Sequence, residues 1–254
     1  MSPTQRFSTR VENYIKYRPH YPPAILRLLE NECGLTRTSI IADIGSGTGI
    51  SSELFLKQGC SVSGIEPNRE MRKAAEKLLR DYPNFKSNEG TAESTGLENA
   101  SVDFITAGQA FHWFDQAKAR KEFRHVLKPK GWVVLIWNER HVNSTPFLKS
   151  YEALLLTYGT DYTQVNHKHI DEKVLEGFFA PIKFRKIVFP NEQRFDFEGV
   201  KGRLLSSSYT PEGGPKLDEM LDELQRIYKM HHEHGRIALK YDTLVYFGQL
   251  NAIA

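Results

Sequence analysis

Cysteine is nearly absent: Cys33 and Cys60 are the only two among 254 residues. Two thiols cannot build a disulfide framework or a multi-cysteine metal site, and their scarcity fits a reducing, cytoplasmic setting. An apolar core of the secretory kind is also lacking from the opening run MSPTQRFSTRVENY. Long hydrophobic runs are missing as well. The longest, residues 132–137, is far short of the roughly 20 residues that span a bilayer, so no membrane association is expected. Charge of one sign is not in excess, since 34 basic and 31 acidic residues leave a formal net charge of +3. The charges are well mixed, without the basic block that displaces counterions from nucleic acid, so no nucleic-acid partner is expected. What is present, 40% hydrophobic and 26% charged residues, is an ordinary globular balance, enough for one large α/β domain.

Strand-like and helix-like patterns alternate through the first half, the signature of a parallel sheet with crossover helices. A helix is predicted after Tyr21-Pro22-Pro23, with Ile25, Leu26, Leu28 and Leu29 inward, because proline is tolerated in a first helical turn. Strands are predicted at 39–44, 61–65, 85–88, 102–107 and 132–137, with helices at 50–57, 70–80 and 115–127 between them. Asp115 is placed to cap the last of these helices, and Lys128-Pro129-Lys130-Gly131 to stop it. Beyond Asn138 the pattern gives helices at 147–158, 171–179, 197–208 and 216–232, and strands at 184–197 and 237–247. Five strands in alternation and two late ones predict a Rossmann-like, seven-stranded, mostly parallel sheet whose last strand inserts antiparallel. Without repeats or low-complexity linkers, residues 1–254 read as one domain. Its core is about 22–138, with helical cover over the carboxyl edge at about 138–180 and 198–235.

The sharpest motif is Ile41-Ala42-Asp43-Ile44-Gly45-Ser46-Gly47-Thr48-Gly49, which leaves a strand, turns on three alternate glycines and enters a helix. Glycine serves where the backbone takes positive φ or where a ligand comes too close for a Cβ. A dinucleotide fingerprint is spaced G-x-G-x-x-G, but Ile50 occupies the position of its last glycine. That mismatch argues for a ligand without a pyrophosphate and against a nicotinamide-dependent oxidoreductase. Asp43 agrees, since a carboxylate repels phosphate but attracts an ammonium or a sulfonium. Glu66, one helix and one strand later, stands where an acid accepts both hydroxyls of a ribose. Each feature has a plainer reading, a turn-bracing carboxylate or a solvated strand end. Their order on one βαβ unit favours a nucleoside site.

These residues resemble the class I S-adenosylmethionine-dependent methyltransferases over about Phe7 to Glu139, and more loosely to the end. IADIGSGTG is similar to the first motif of that family and SVSGIEPN to the second. EGTAESTGLENASVDFITAGQAFHWF is similar to the third and fourth together, and LKPKGWVVLIWN to the fifth-strand motif. YIKYRPHYP and QAFHWFD resemble a subgroup that includes the trans-aconitate methyltransferases. The resemblance implies S-adenosyl-L-methionine as cofactor, S-adenosyl-L-homocysteine as product and a small-molecule methyl acceptor as partner. It puts Asp43, Gly45, Gly47 and Gly49 around the methionine part of the cofactor and Glu66 on the ribose. Asn68 and Met71 would line the adenine side, where Ala92 and Glu93 would also meet the ring. Gln109, Ala110, His112 and Trp113 would form the turn under the methyl group. Relatives often carry Leu-Pro after the Ala-Glu pair, whereas Ser94-Thr95-Gly96 stands here.

Other conspicuous residues read two ways. Tyr14, Tyr17, Arg18 and Tyr21 either fold across the cofactor, with Arg18 on its carboxylate, or anchor the terminus on the sheet. His112 is the candidate catalytic base or a structural histidine beside Trp113. Asn138 and Arg140 close the fifth strand at the ligand edge, where Arg140 either clamps a carboxylate or is a surface charge. Ser206-Ser207-Ser208-Tyr209 either lines the acceptor pocket or is a polar helix end. His231, His232 and His234, with His167 and His169, fit no zinc spacing, and no metal is expected. A small-molecule methyltransferase is the function favoured; a carboxylate acceptor needs no base at neutral pH, so the lack of an obvious catalytic acid or base is no objection. A protein that keeps the pocket without catalysis is the rival.

Overall fold

The computed structural model describes residues 11–163 and 171–250; Phe7, His167 and His169 lie outside the described residues. The strands are β1 (Ile40–Ile44), β2 (Ser61–Ile65), β3 (Phe85–Asn88), β4 (Val102–Gly108), β5 (Leu127–Arg140), β6 (Arg185–Phe195) and β7 (Ile237–Gly248). The helices are α1 (Val11–Tyr17), α2 (Ala24–Cys33), α3 (Ile50–Gln58), α4 (Arg69–Leu78), α5 (Gln116–Val126), α6 (Pro146–Tyr158), α7 (Glu172–Phe179), α8 (Phe197–Leu205) and α9 (Pro215–His231). All seven strands share one sheet in the order β3-β2-β1-β4-β5-β7-β6. The pairs from β3 to β5 are parallel, and β7 runs antiparallel between β5 and β6. This is the Rossmann-like sheet that the alternation predicts.

Alternation along the central strands buries both sheet faces, as parallel sheets require. Ala42, Ile44, Ile105, Ala107, Val133 and Leu135 pack one way, against Phe123 of α5 and Phe178 of α7. Ile41, Phe104, Val134 and Ile136 pack the other way, against Ile25 and Leu29 of α2 and Leu54 and Phe55 of α3. Strand order therefore reverses at β1 and β4, and the carboxyl ends of these two strands open on one crevice. Asp115 does cap α5, its side chain accepting from the Lys118 amide at 3.2 Å.

The segments outside the sheet divide differently from the sequence expectation. α6, α8, α9 and the first half of β7 share a core of Phe147, Leu148, Val200, Leu204, Met220, Leu224 and Leu239. α7 does not join that cover. Its Leu175, Phe178 and Phe179 belong to the sheet-face core, where the Phe178 ring meets Phe111 edge-on at 4.8 Å and Phe123 at 5.9 Å. Three large apolar groups on one short helix are worth more against the sheet than over a polar edge. The run before Tyr21, read as an aromatic cluster, contains helix α1. That helix meets α8 where Gly202 has no side chain; a Cβ there would lie 2.0 Å from the Tyr17 ring.

Candidate active site

β1 ends in the glycine turn. Gly45, Gly47 and Gly49 have φ of +66°, +55° and +87°, the left-handed region that a side chain disfavours. Ala110, in the turn after β4, closes on this loop so tightly that a Cβ on Gly45 would lie 2.6 Å from its own. Glu66 follows β2 directly, beside the same loop. Its Oε2 accepts the Gly47 amide at 3.0 Å and its Oε1 the Asn68 amide at 2.9 Å. A carboxylate thus takes up the Gly47 amide, a donor that a phosphate on this loop would need. Burial raises the pKa of Glu66, against the lowering effect of these two amides and of Arg72.

A cavity of about 520 Å³ opens over the carboxyl ends of the strands. Its wall includes Tyr14, Arg18, Gly45, Gly47, Glu66, Asn68, Met71, Ala92, Glu93, Gln109, Ala110, His112, Trp113, Asn138, Arg140 and Tyr209. These sixteen residues, all singled out in the sequence, therefore meet around one space. Asp43 and Gly49 do not line it. The Asp43 carboxylate is fully buried and accepts Ser51 Oγ and Ser52 Oγ, each at 2.6 Å, and Thr106 Oγ1 at 2.9 Å. It braces the loop against α3 and β4 from below. Its pKa is raised by burial, against the lowering effect of those three hydroxyls. Gly49 starts α3 and is confined by Leu79, whose Cδ1 would lie 2.6 Å from an added Cβ.

Several wall residues have side chains already engaged. Asn68 Oδ1 caps α4 by accepting the Glu70 and Met71 amides. Glu93 Oε1 accepts the Asp115 amide at 2.8 Å. Asn138 Nδ2 donates to Pro19 O at 3.3 Å while its Oδ1 accepts from Thr243 Oγ1 and Asn191 Nδ2, so it ties the α1–α2 connection to the sheet. Arg140 is neither a free clamp nor a surface charge. It bonds Glu152, donates to Tyr162 at 3.1 Å and lies over the Tyr151 ring. His112 packs beside half-exposed Trp113, ring centroids 4.7 Å apart, with both ring nitrogens buried. His231 and His232 bond Ser150 and the Gly235 amide, and no metal-holding group of side chains occurs among the described residues.

The far wall adds Tyr162, Arg203 and Tyr241, which the sequence reading passed over. Arg203 is 6% exposed and hydrogen-bonds Ser207 Oγ at 3.0 Å, Ser206 Oγ at 3.4 Å and Tyr241 OH at 3.4 Å. Its signal in the sequence is positional: a basic residue on the apolar stripe of α8, beside Val200 and Leu204. Arg18 Nη2 donates to Ser206 O at 3.0 Å, and its guanidinium lies over the Tyr14 ring at 4.8 Å. Burial, and then Arg203, lowers the pKa of Arg18. Burial opposes ionisation of Tyr209, yet Arg203, Arg18 and Arg140 together bring its pKa below that of an ordinary phenol.

A family model described as a methyltransferase domain matches residues 42–135. An uncharacterized methyltransferase of Schizosaccharomyces pombe is 36% identical over 204 residues, covering 79% of this chain and 77% of that protein. An uncharacterized methyltransferase-like protein of the same yeast is 29% identical over 246 residues, 94% of this chain and 93% of the relative. Among solved structures, one from Anaeromyxobacter dehalogenans, proposed by its name to be a type II methyltransferase, superposes with a TM-score of 0.67 at 22% identity, over 92% of this chain and 99% of that one. A geranyl diphosphate methyltransferase in complex with SAM has a TM-score of 0.51 at 11% identity, over 89% of this chain and 84% of its own. The motifs, the strand order and the length of these matches agree: the chain belongs to the class I S-adenosylmethionine-dependent methyltransferase family.

Proposed function

We propose that the chain binds S-adenosylmethionine and transfers its methyl group to a small molecule, with a carboxylate as the acceptor class. The observation that carries this reading is one cavity with an acid at its glycine end and guanidiniums at its other end. Arg18 Nε, Thr48 Oγ1 and Trp137 Nε1, all on wall residues, are buried with no hydrogen-bond partner among the described residues. Buried polar atoms are rarely left so, which supports a site that a polar ligand completes. Glu66 offers its remaining lone pairs to ribose hydroxyls, Met71 and Ala92 give an apolar bed for a base, and Arg18 meets an amino-acid carboxylate. When bound, S-adenosylmethionine supplies a methyl group on a sulfonium, ready for direct displacement.

The protein's part is then orientation and exclusion of water. Holding an acceptor in line contributes on the order of 7–11 kcal/mol in well-oriented reactions. Gln109, Ala110 and His112 shape the floor after β4, and Tyr14 of α1, Arg203 of α8 and the loop residues Tyr162 and Tyr209 close the space. A carboxylate acceptor is already ionised at neutral pH, so His112 serves to position rather than to take a proton. The SAM complex of the geranyl diphosphate methyltransferase supports the choice of cofactor through the fold. Calorimetric titration with S-adenosylmethionine, S-adenosylhomocysteine and NADH, followed by turnover on carboxylates, phenols and amines, tests the proposal. Binding of NADH alone, or tight S-adenosylmethionine binding without turnover of any acceptor, would overturn it.

A further inference from the structure

At the arginine end of the cavity, two of three guanidiniums have no carboxylate partner among the described residues. Of Arg18, Arg140 and Arg203, Arg140 alone is paired with a carboxylate among the described residues, that of Glu152. Arg203 and Arg18 converge on one residue: Arg203 Nη1 reaches Ser206 Oγ while Arg18 Nη2 reaches Ser206 O. Every group that Arg203 bonds is a neutral hydroxyl, and its Nη2 makes no hydrogen bond among the described residues. Two guanidiniums brought together out of water repel each other, and burying such charge without an anion is costly. Arg203 lines the cavity, and the N–H groups of its planar fork that are left over, both on Nη2, suit charge-assisted hydrogen bonds to a carboxylate or phosphate.

We propose that Arg203 anchors an anionic group of the methyl acceptor, separately from the cofactor carboxylate that Arg18 receives. Ser207 and Tyr241 fix the plane of the guanidinium, which makes Arg203 the residue that selects charged acceptors over neutral ones. The same positive potential accounts for the acidified hydroxyl of Tyr209 at the edge of the site. This inference rests on the methyltransferase reading for the assignment of Arg18, whereas the anion site itself stands on the geometry alone.

The test uses the full chain, with and without saturating S-adenosylhomocysteine, titrated calorimetrically with citrate, inorganic phosphate and uncharged triethyl citrate. Citrate is expected to bind the S-adenosylhomocysteine complex, triethyl citrate to bind far more weakly, and Arg203→Met to weaken citrate by about 30-fold. S-adenosylhomocysteine affinity should stay within about 3-fold in that variant, which also reports that it is folded. Arg203→Lys, which keeps the charge but loses the fork, should fall between; where Arg203→Met does not fold, this variant decides. Binding of phosphate but not citrate also supports the site and marks the acceptor as phosphorylated. Equal citrate affinity in wild type and variant, equal binding of triethyl citrate, or an equal loss of S-adenosylhomocysteine overturns the assignment. Failure of S-adenosylhomocysteine to bind wild type defeats the methyltransferase reading instead. The citrate titration of the free protein still judges the anion site.

Discussion

At the glycine end of the cavity, Gly45, Gly47, Glu66, Asn68 and Met71 come from one unbroken β1-α3-β2-α4 stretch. At the arginine end, Arg18 follows α1, Arg140 ends β5, Tyr162 follows α6, Arg203 sits in α8 and Tyr241 in β7. The first end is held by backbone: amides on Glu66, left-handed glycines and a helix cap. The second is held by side chains that grip one another across the cover, as in the Arg140–Glu152–Tyr162 triangle. One end is therefore a local device that any sheet of this order can carry. The other exists only when five separate elements dock, so it is the place where stability and specificity are coupled.

The largest expected effect breaks that coupling. Glu152→Ala leaves Arg140 buried without its anion, and removing one partner of a buried pair typically costs about 3–5 kcal/mol. Urea denaturation should show this loss, while the variant that remains folded keeps its S-adenosylhomocysteine affinity; a loss below about 1 kcal/mol would make the triangle a surface feature. The two acids of the glycine end should separate next. Asp43→Ala strips the acceptor from three buried hydroxyls and is expected to cost about 2–4 kcal/mol of stability. Glu66→Ala is expected instead to leave stability within about 1 kcal/mol and to weaken S-adenosylhomocysteine by about 10- to 100-fold. Equal shifts of both quantities in both variants would erase the distinction between brace and ligand contact. Smaller again is Gly202→Ala. It pushes the Tyr17 ring off α8 and should cost about 1–3 kcal/mol, as overpacking does.

The same contrast decides what could be read before any coordinates. The glycine loop, Glu66 and the strand order are legible because their determinants are neighbours in sequence and obey fixed periods. Asp43 was visible as a functional acid, yet its side chain turns inward, where Ser51, Ser52 and Thr106 take up its oxygens. Those hydroxyls come from α3 and β4, and no local pattern announces their convergence. Asn138 and Arg140 line the cavity, but their partners Asn191, Thr243 and Glu152 belong to later segments. Arg203 was hidden because a lone arginine in a short helix reads as solvated. Only its place on the apolar stripe betrays it. α7 was misplaced for the same reason, since its period shows that one face is buried but not which surface covers it.

The smallest effect is the most direct probe of the glycine end. Burial raises the Glu66 carboxyl above its ordinary pKa, more strongly than the Asn68 and Gly47 amides lower it. Between its ordinary and its raised pKa, the folded chain therefore carries a proton that the unfolded chain has released. Through this group the ligand-free protein gains stability as pH falls across that window, and keeps the gain below it. Binding reverses the sign. Ribose hydroxyls donate to the ionised carboxylate, so S-adenosylhomocysteine expels the proton. Its affinity should fall as pH drops below the raised pKa, with a slope approaching about one log unit per pH unit. Glu66→Gln should flatten this slope while keeping a carbonyl acceptor, whereas Asp43→Asn should leave it intact because Asp43 does not face the cavity. A slope that persists in Glu66→Gln and vanishes in Asp43→Asn would exchange the roles of the two acids.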